Sequence, residues 1–184
     1  GSCTFTHCRM LEKVIIPTTV TSMGEGIFSG MSSLEELSIP FVGANQNIST
    51  TSSSTHYPLG YMFGNESYTG SINVSQYTSI DYLSSGNYVS RINSTSPFYI
   101  PSSLRVVNIT NSKYLFCGAF SCLGTGRHNI EKITLNEGIE NIGSYAFYNC
   151  SSLKEINLPS TLKKIDDYTF YNCTSISTIV FPSG

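Results

Sequence analysis

Charge is scarce in this chain. Charged side chains make up 12% of its 184 residues, 10 basic against 12 acidic, for a formal net charge of −2. So weak and slightly negative a field does not gather polyanions, which argues against nucleic acid as a partner. Long apolar runs are missing too. None approaches the roughly 18–20 residues needed to cross a bilayer, and the N-terminus lacks the basic-then-apolar layout of a secretion signal. No membrane insertion of this segment is therefore expected. The leading Gly1-Ser2 reads as a cloning remnant, so a signal or anchor could lie beyond either end. Histidine occurs only at positions 7, 56 and 128, and no GxSxG, HExxH or Walker pattern appears. Catalytic residues and cofactors are accordingly expected to be none. Six cysteines, at 3, 8, 117, 122, 150 and 173, are too few for a disulfide scaffold at this length and form no paired CxxC knuckles.

What the chain does contain is a repeat. The run Cys150-Ser-Ser-Leu153-Lys-Glu-Ile156-Asn-Leu158-Pro159-Ser-Thr-Leu162-Lys-Lys-Ile165-Asp-Asp-Tyr168-Thr-Phe170-Tyr-Asn-Cys173 closes on itself from position 150 to position 173, and Ile176, Ile179, Phe181 and Pro182 begin it again. The same register places Ile130, Ile133, Leu135, Ile139, Ile142, Tyr145 and Phe147 ahead of Cys150. At the other end Phe5, Leu11, Val14, Ile16 and Pro17 match Phe28, Leu34, Leu37, Ile39 and Pro40 at the same offset of 23, with Cys8 opposite Met31. Such a period signals stacked supersecondary units.

Each unit reads as one coil of a solenoid. Leu-x-x-Ile-x-Leu ends in period-2 alternation, as a short strand with one buried face requires, and the following Pro stops it. The later Leu-x-x-Ile and Phe-x-x-Cys spacings of three point to turns or 3₁₀ pieces. A coil this short cannot bury its own apolar face, so stability comes from its neighbours. The predicted core is a set of columns: Phe5, Phe28, Phe120, Phe147 and Phe170 in one, Cys8, Met31, Cys150 and Cys173 in another.

Tyr145-Ala-Phe147-Tyr-Asn-Cys150-Ser-Ser-Leu153-Lys-Glu-Ile156-Asn-Leu158-Pro159, and more weakly Phe28 through Pro40, resemble the BspA-like class of leucine-rich repeats of bacterial and protozoan cell surfaces. Ile39–Gly43, Leu59-Gly-Tyr-Met-Phe-Gly64 and Ile100-Pro-Ser-Ser-Leu-Arg105 look like a longer variant unit of that class. The resemblance implies a repeat solenoid with short parallel strands on one face, on a secreted or surface-attached adhesin or recognition protein without catalytic residues. We therefore expect a single leucine-rich repeat domain over 1–184, with regular repeats in 1–42, an expanded irregular repeat in 43–100 and regular repeats in 101–184.

Within the middle the period disappears. Asn47 to Thr55 is a low-complexity polar run expected to form a loop. Seven of the 12 tyrosines, at 57, 61, 68, 77, 82, 88 and 99, lie in this part. Tyr88–Ile92 alternates like a strand after the Gly86-Asn87 turn signal, and strand register returns at Leu104, Val107 and Ile109. A shorter departure follows: the step from Phe120 to Phe147 exceeds the regular offset by four, and the extra positions fall around Gly124-Thr-Gly-Arg-His128, read as a bulged loop on the outer edge.

Local chemistry has plainer readings at each candidate position. Gly124-Thr-Gly126 lacks the lysine of a phosphate loop and reads as a turn. Cys3, His7 and Cys8 lack a fourth zinc ligand. Cys150 and Cys173, as equivalent residues pointing the same way, suit buried free thiols better than a disulfide. Cys117 and Cys122 straddle a turn, where a local disulfide and two free thiols both remain open. Asp166-Asp167 lacks the spaced oxygens of a calcium loop and reads as a solvated turn. The Asn-x-Ser/Thr sequons at 47, 65, 73, 93 and 108 arise from composition alone.

Two surfaces could bind. The outward strand residues Ile15, Ser38, Asn108, Thr134, Asn157 and Val180, flanked by Lys13, Glu36, Val106, Lys132, Glu155 and Thr178, form a small, aromatic-free stripe. It lacks the anchors that dominate interfaces. The middle segment mixes Tyr with Ser, Gly and Asn, the composition that binding loops use. Candidate ligand contacts are thus Tyr68, Tyr77, Tyr82 and Tyr88, with Lys132, Glu155 and Asn157 on the strand face. The competing reading makes the tyrosines half-buried strand residues over a widened core. The expected role is non-enzymatic recognition or adhesion, at the cell surface or secreted, toward a protein or glycan ligand on a host cell or matrix. A structural spacer holding another domain is the alternative. Apolar edges at Val14 and Ile16, and at Ile179 and Phe181, are expected to belong to a longer array and could support end-to-end self-association.

Overall fold

A computed structural model describes residues 5–6, 8–46, 58–78 and 94–182. The expected Asn47–Thr55 loop, the Gly86-Asn87 turn, the Tyr88–Ile92 strand, Tyr82, and the Cys3 and His7 ligands lie outside the described residues.

The chain is a solenoid. Its strands are β1 (Lys13–Ile15), β2 (Glu36–Ile39), β3 (Ser71–Tyr77), β4 (Thr95–Pro101), β5 (Val106–Ile109), β6 (Tyr114–Leu115), β7 (Lys132–Thr134), β8 (Asn141–Ile142), β9 (Glu155–Asn157) and β10 (Lys164–Ile165). Strands β1, β2, β5, β7 and β9 form one parallel sheet in that order. Register reports the repeat directly: Lys13 faces Glu36 and Lys132 faces Glu155, each pair one full period apart. The expanded unit takes 70 positions without disturbing that register, since Ser38 still faces Asn108. Inward side chains Leu37, Val107 and Ile133 are fully buried, as alternation requires.

The opposite face departs from expectation. The Leu-x-x-Ile stretches read as turns or 3₁₀ pieces end in two-residue strands, and β6, β8 and β10 pair into a second parallel sheet. Two residues are too few to show alternation in the sequence. Among the described residues the 3₁₀ turn is Leu59–Met62, inside the expanded unit.

Between the sheets runs the phenylalanine column. Phe5 stacks on Phe28 at 6.4 Å, Phe120 on Phe147 at 5.5 Å, and Phe147 on Phe170 at 5.2 Å between ring centroids. Phe63, not foreseen as a member, sits 5.9 Å from Phe28. The backbone confirms its place: the Phe28 amide donates to the Met62 carbonyl, just as Phe5 donates to Ile27, Phe120 to Ala146 and Phe147 to Thr169. The irregular middle therefore supplies one true coil with a hairpin attached.

That hairpin, β3 with β4, is antiparallel from Ser71 opposite Pro101 to Tyr77 opposite Thr95. It packs Val74, Phe98 and Ile100 into the core. Gln76, fully buried, fastens it: its side-chain nitrogen donates to the Ser121 carbonyl at 3.0 Å and its oxygen accepts from the Gly60 amide at 2.6 Å. The 123–127 loop lies along β3, where the Leu123 amide donates to the Ser75 carbonyl. A Cβ on Gly126 would collide with the Asn73 carbonyl, so only glycine allows this approach.

Candidate binding surfaces

Two residues before Phe28, Phe120, Phe147 and Phe170, and two residues after Phe28, Phe147 and Phe170, the backbone turns left-handed. Gly26 (φ 63) and Gly118 (φ 67) hold the leading position before Phe28 and Phe120, and Gly30 (φ 80) holds the trailing one after Phe28. In the last two units the same places fall to Tyr145 (φ 58) with Asn149 (φ 58), and to Tyr168 (φ 53) with Asn172 (φ 57). Asparagine tolerates this region, but a tyrosine there is uncommon and costs about 1–2 kcal/mol.

Those strained turns lift a ladder of rings onto the surface. Tyr145 stacks on Tyr168 at 5.1 Å and Tyr148 on Tyr171 at 5.0 Å, with interplanar angles of 18° and 9°. Cross-contacts join the columns, Tyr145 with Tyr148 at 5.5 Å and Tyr168 with Tyr171 at 6.1 Å. Tyr77, at the end of β3, closes the group by touching Tyr145 at 5.4 Å and Tyr148 at 6.2 Å edge-on. Exposure rises along the ladder to 57% at Tyr168 and 53% at Tyr171. Partial burial, followed by the neighbouring Tyr148 and Tyr145 hydroxyls, pushes the Tyr77 phenol up.

The tyrosines singled out from sequence divide accordingly. Tyr77 belongs to the ladder. Tyr68 does not: its hydroxyl is buried with no hydrogen-bond partner among the described residues, and burial pushes its phenol well up. Tyr68 is half-buried but lies ahead of β3 rather than in a strand, whereas Tyr77 is a half-buried strand residue as well as a ladder member. Tyr82 and Tyr88 lie outside the described residues. Sequence reading missed Tyr145, Tyr148, Tyr168 and Tyr171 as a surface, although the repeated Tyr-x-Phe-Tyr-Asn was its signal.

On the strand face, charge is spent internally. Lys132 pairs with Glu155 at 2.7 Å and Lys13 with Glu36 at 2.9 Å across neighbouring strands. Ser38, expected to face out, is buried because the Asn108 side chain lies over it and donates to its hydroxyl at 3.1 Å and to Glu36 at 3.2 Å. Asn157 is exposed and, with Glu155, lines a cleft of about 380 Å³ against residues 177–182.

The cysteine column holds without disulfides, and no disulfide joins Cys117 to Cys122. Cys150 donates to the Phe120 carbonyl at 3.2 Å and Cys173 to the Phe147 carbonyl at 3.0 Å, one coil apart. The 124–128 loop corrects the sequence reading. Its tip, Gly124 and Thr125, is exposed, but the chain then turns inward and His128 is fully buried beside Cys122 and Cys150. Its Nε2 lies 2.9 Å from the Phe120 carbonyl and the Ile130 amide points at Nδ1 from 3.4 Å, the arrangement of a neutral imidazole. Burial opposes protonation of the ring, and the neighbouring Cys122 sulfur and Phe120 carbonyl offset it, for a net upward direction.

Among the described residues no helix is long and apolar enough to cross a membrane. Two solved structures are similar: a leucine rich cell surface protein from Faecalibacterium prausnitzii A2-165, at 19% identity and TM-score 0.27, and a leucine-rich repeat protein from Bacteroides ovatus ATCC 8483, at 18% and 0.29. The match covers 94% and 99% of this chain but only 60% and 46% of theirs, so this chain spans about half the length of those proteins. No curated protein matches it. The model of the BspA type leucine rich repeat region matches residues 1–123 and 121–184, in six copies, and with the regular strand register, parallel sheet and phenylalanine column this places the chain in the BspA-type leucine-rich repeat family.

Proposed function

We propose that this chain is a non-enzymatic recognition module of a cell-surface or secreted protein, and that it engages a protein or glycan partner on a host cell or matrix through the tyrosine ladder. One observation carries the reading. Tyr145 and Tyr168 occupy left-handed positions that Gly26 and Gly118 fill without strain, and the result is an exposed ring surface rather than a better core. Non-glycine residues held in that region cluster at functional sites. Tyrosine suits such a site, because a rigid ring with a hydroxyl gives large amphipathic contact at low entropic cost. The stack presents ring edges and hydroxyls along its length, and Tyr77 ties it to the hairpin of the expanded unit. A surface location agrees with the family and with the name of one similar structure.

The spacer reading rests on the strand face, where Lys13–Glu36 and Lys132–Glu155 satisfy one another and leave little for a partner. Exchanging both exposed tyrosines, Tyr168→Ser with Tyr171→Ser, decides between the two. Recognition through the ladder predicts loss of binding to cells or matrix with a melting temperature within a few degrees of the parent. Retained binding, or binding lost instead on substitution of Lys132, Glu155 or Asn157, would move the site to the strand face; no binding by the parent protein to any cell or matrix leaves the spacer.

A further inference from the structure

The cysteine column and the 124–128 loop meet at one point. Cys122, His128 and Cys150 are all buried, and their ligand atoms lie within 4.8 Å of one another. Cys150 Sγ is 3.6 Å from His128 Nε2. A zinc ion held tetrahedrally at about 2.3 Å from sulfur and about 2.0–2.1 Å from imidazole nitrogen sets its ligand atoms roughly 3.5–3.8 Å apart, so this separation is already that of two ligands on one ion. The Phe120 carbonyl oxygen faces the same point, 2.9 Å from Nε2, 3.2 Å from Cys150 Sγ and 3.8 Å from Cys122 Sγ. We infer that Cys122, His128 and Cys150 form a binding site for one borderline-soft divalent cation of the zinc class, with the Phe120 carbonyl beside its fourth position.

The way the sequence builds this cluster is an independent argument. Regular units bring a single cysteine to the column, three residues after the phenylalanine, as at Cys150 and Cys173. In the unit of Phe120 that third place is Leu123, which is half exposed; Cys122 is drawn inward in its stead, and the four extra residues return His128 to the same spot. Two donor groups thus fill the space of one. An apolar side chain would close the column without an imidazole whose two nitrogens must both find partners there. On binding, the ring proton moves from Nε2 to Nδ1, which ends the 3.4 Å contact from the Ile130 amide, and the two thiols release their protons to solvent as the chain folds around the ion. Since the cluster is sealed in the core, the ion enters as the chain folds.

The test is expression in zinc-supplemented and in zinc-depleted medium, purification under reducing conditions, and metal counting by mass spectrometry. The inference expects about one zinc per folded chain from supplemented medium, and a higher melting temperature than the depleted protein. Cobalt in place of zinc should give visible d–d bands with a thiolate-to-metal charge-transfer band, a signature that a purely structural cluster does not produce. His128→Gln and Cys122→Ser should each lower occupancy at least about tenfold, while Cys117→Ser, a buried thiol outside the cluster, keeps it. Zinc below about a tenth per chain in parent protein with native circular dichroism, cobalt spectra without the charge-transfer band, equal loss in Cys117→Ser, or recovery of a Cys122–Cys150 disulfide each overturns it.

Discussion

If the ladder is held at a conformational cost, the cost is measurable at Tyr168. Two variants isolate it, Tyr168→Gly and Tyr168→Ala. Both remove the ring, so both lose the stack on Tyr145 at 5.1 Å and the edge contact with Tyr171 at 6.1 Å. They differ only in the Cβ at φ 53. Holding a Cβ in that region costs about 1–2 kcal/mol, whereas glycine's extra freedom in the unfolded chain costs about 0.4–1 kcal/mol. The difference leaves Tyr168→Gly the more stable by about 0.5–1 kcal/mol, or roughly 1–4 °C for a chain of this size. Scanning calorimetry of the two proteins under one buffer resolves that gap. The control is Asn157 on the extended strand β9, where Asn157→Ala should melt above Asn157→Gly by a similar amount. Should Tyr168→Ala melt at or above Tyr168→Gly, the turn carries no strain and the case for a ring placed there at a cost collapses.

Two further outcomes follow from the columns. Phe147, fully buried between Phe120 and Phe170, should lose about 3–5 kcal/mol on change to Ala, while Phe170→Ala, at a half-buried site, should lose about half as much; equal losses in urea unfolding would contradict the column order. Cys173 should react with a thiol reagent well before Cys150, because it is partly exposed while Cys150 is fully buried and burial raises the Cys150 thiol. Simultaneous labelling of the two in the native protein, read by peptide mass mapping, would refute that order.

The phenylalanine column, the main sheet and its register are legible in the sequence because each rests on a period that survives in every regular unit. Phe63 is not, since the expanded unit places the next strand residue 70 positions on and the regular offset does not point to it. Strand β4 hides behind Pro97 and Pro101, which argue against a strand, and β3 carries the polar Gln76 at a buried position. Both are explicable once the hairpin is known to be two-stranded, because an edge strand tolerates proline. The tyrosine surface stays hidden for another reason: a ladder of rings depends on left-handed turns, and those turns announce themselves through Gly26, Gly118 and the asparagines rather than through the tyrosines that they lift outward.

The places where the period fails also hold the chain's most deeply buried polar side chains. Among the described residues, Gln76, Ser121 and His128 are the polar side chains with no exposure at all, and all three belong to the expanded unit or to the long unit after it. Gln76 and Ser121 are accounted for by backbone. Gln76 satisfies the Gly60 amide and the Ser121 carbonyl, and the Ser121 hydroxyl accepts from the Tyr77 amide at 3.2 Å, so together they stitch the hairpin to the solenoid. His128 is held less firmly: its Nδ1 takes the Ile130 amide only at 3.4 Å, and its Nε2 shares the Phe120 carbonyl with Cys150. The Phe120 carbonyl that it touches already accepts from Cys150, in the manner that the Phe147 carbonyl accepts from Cys173 with no histidine present. A solenoid in which each coil contacts only its neighbours can absorb an insertion of any length at a loop, but that freedom does not explain an insertion that turns inward. Gly126, fitted against the Asn73 carbonyl, shows that the turn is built rather than tolerated. What the extra residues deliver is an imidazole to a pair of thiols.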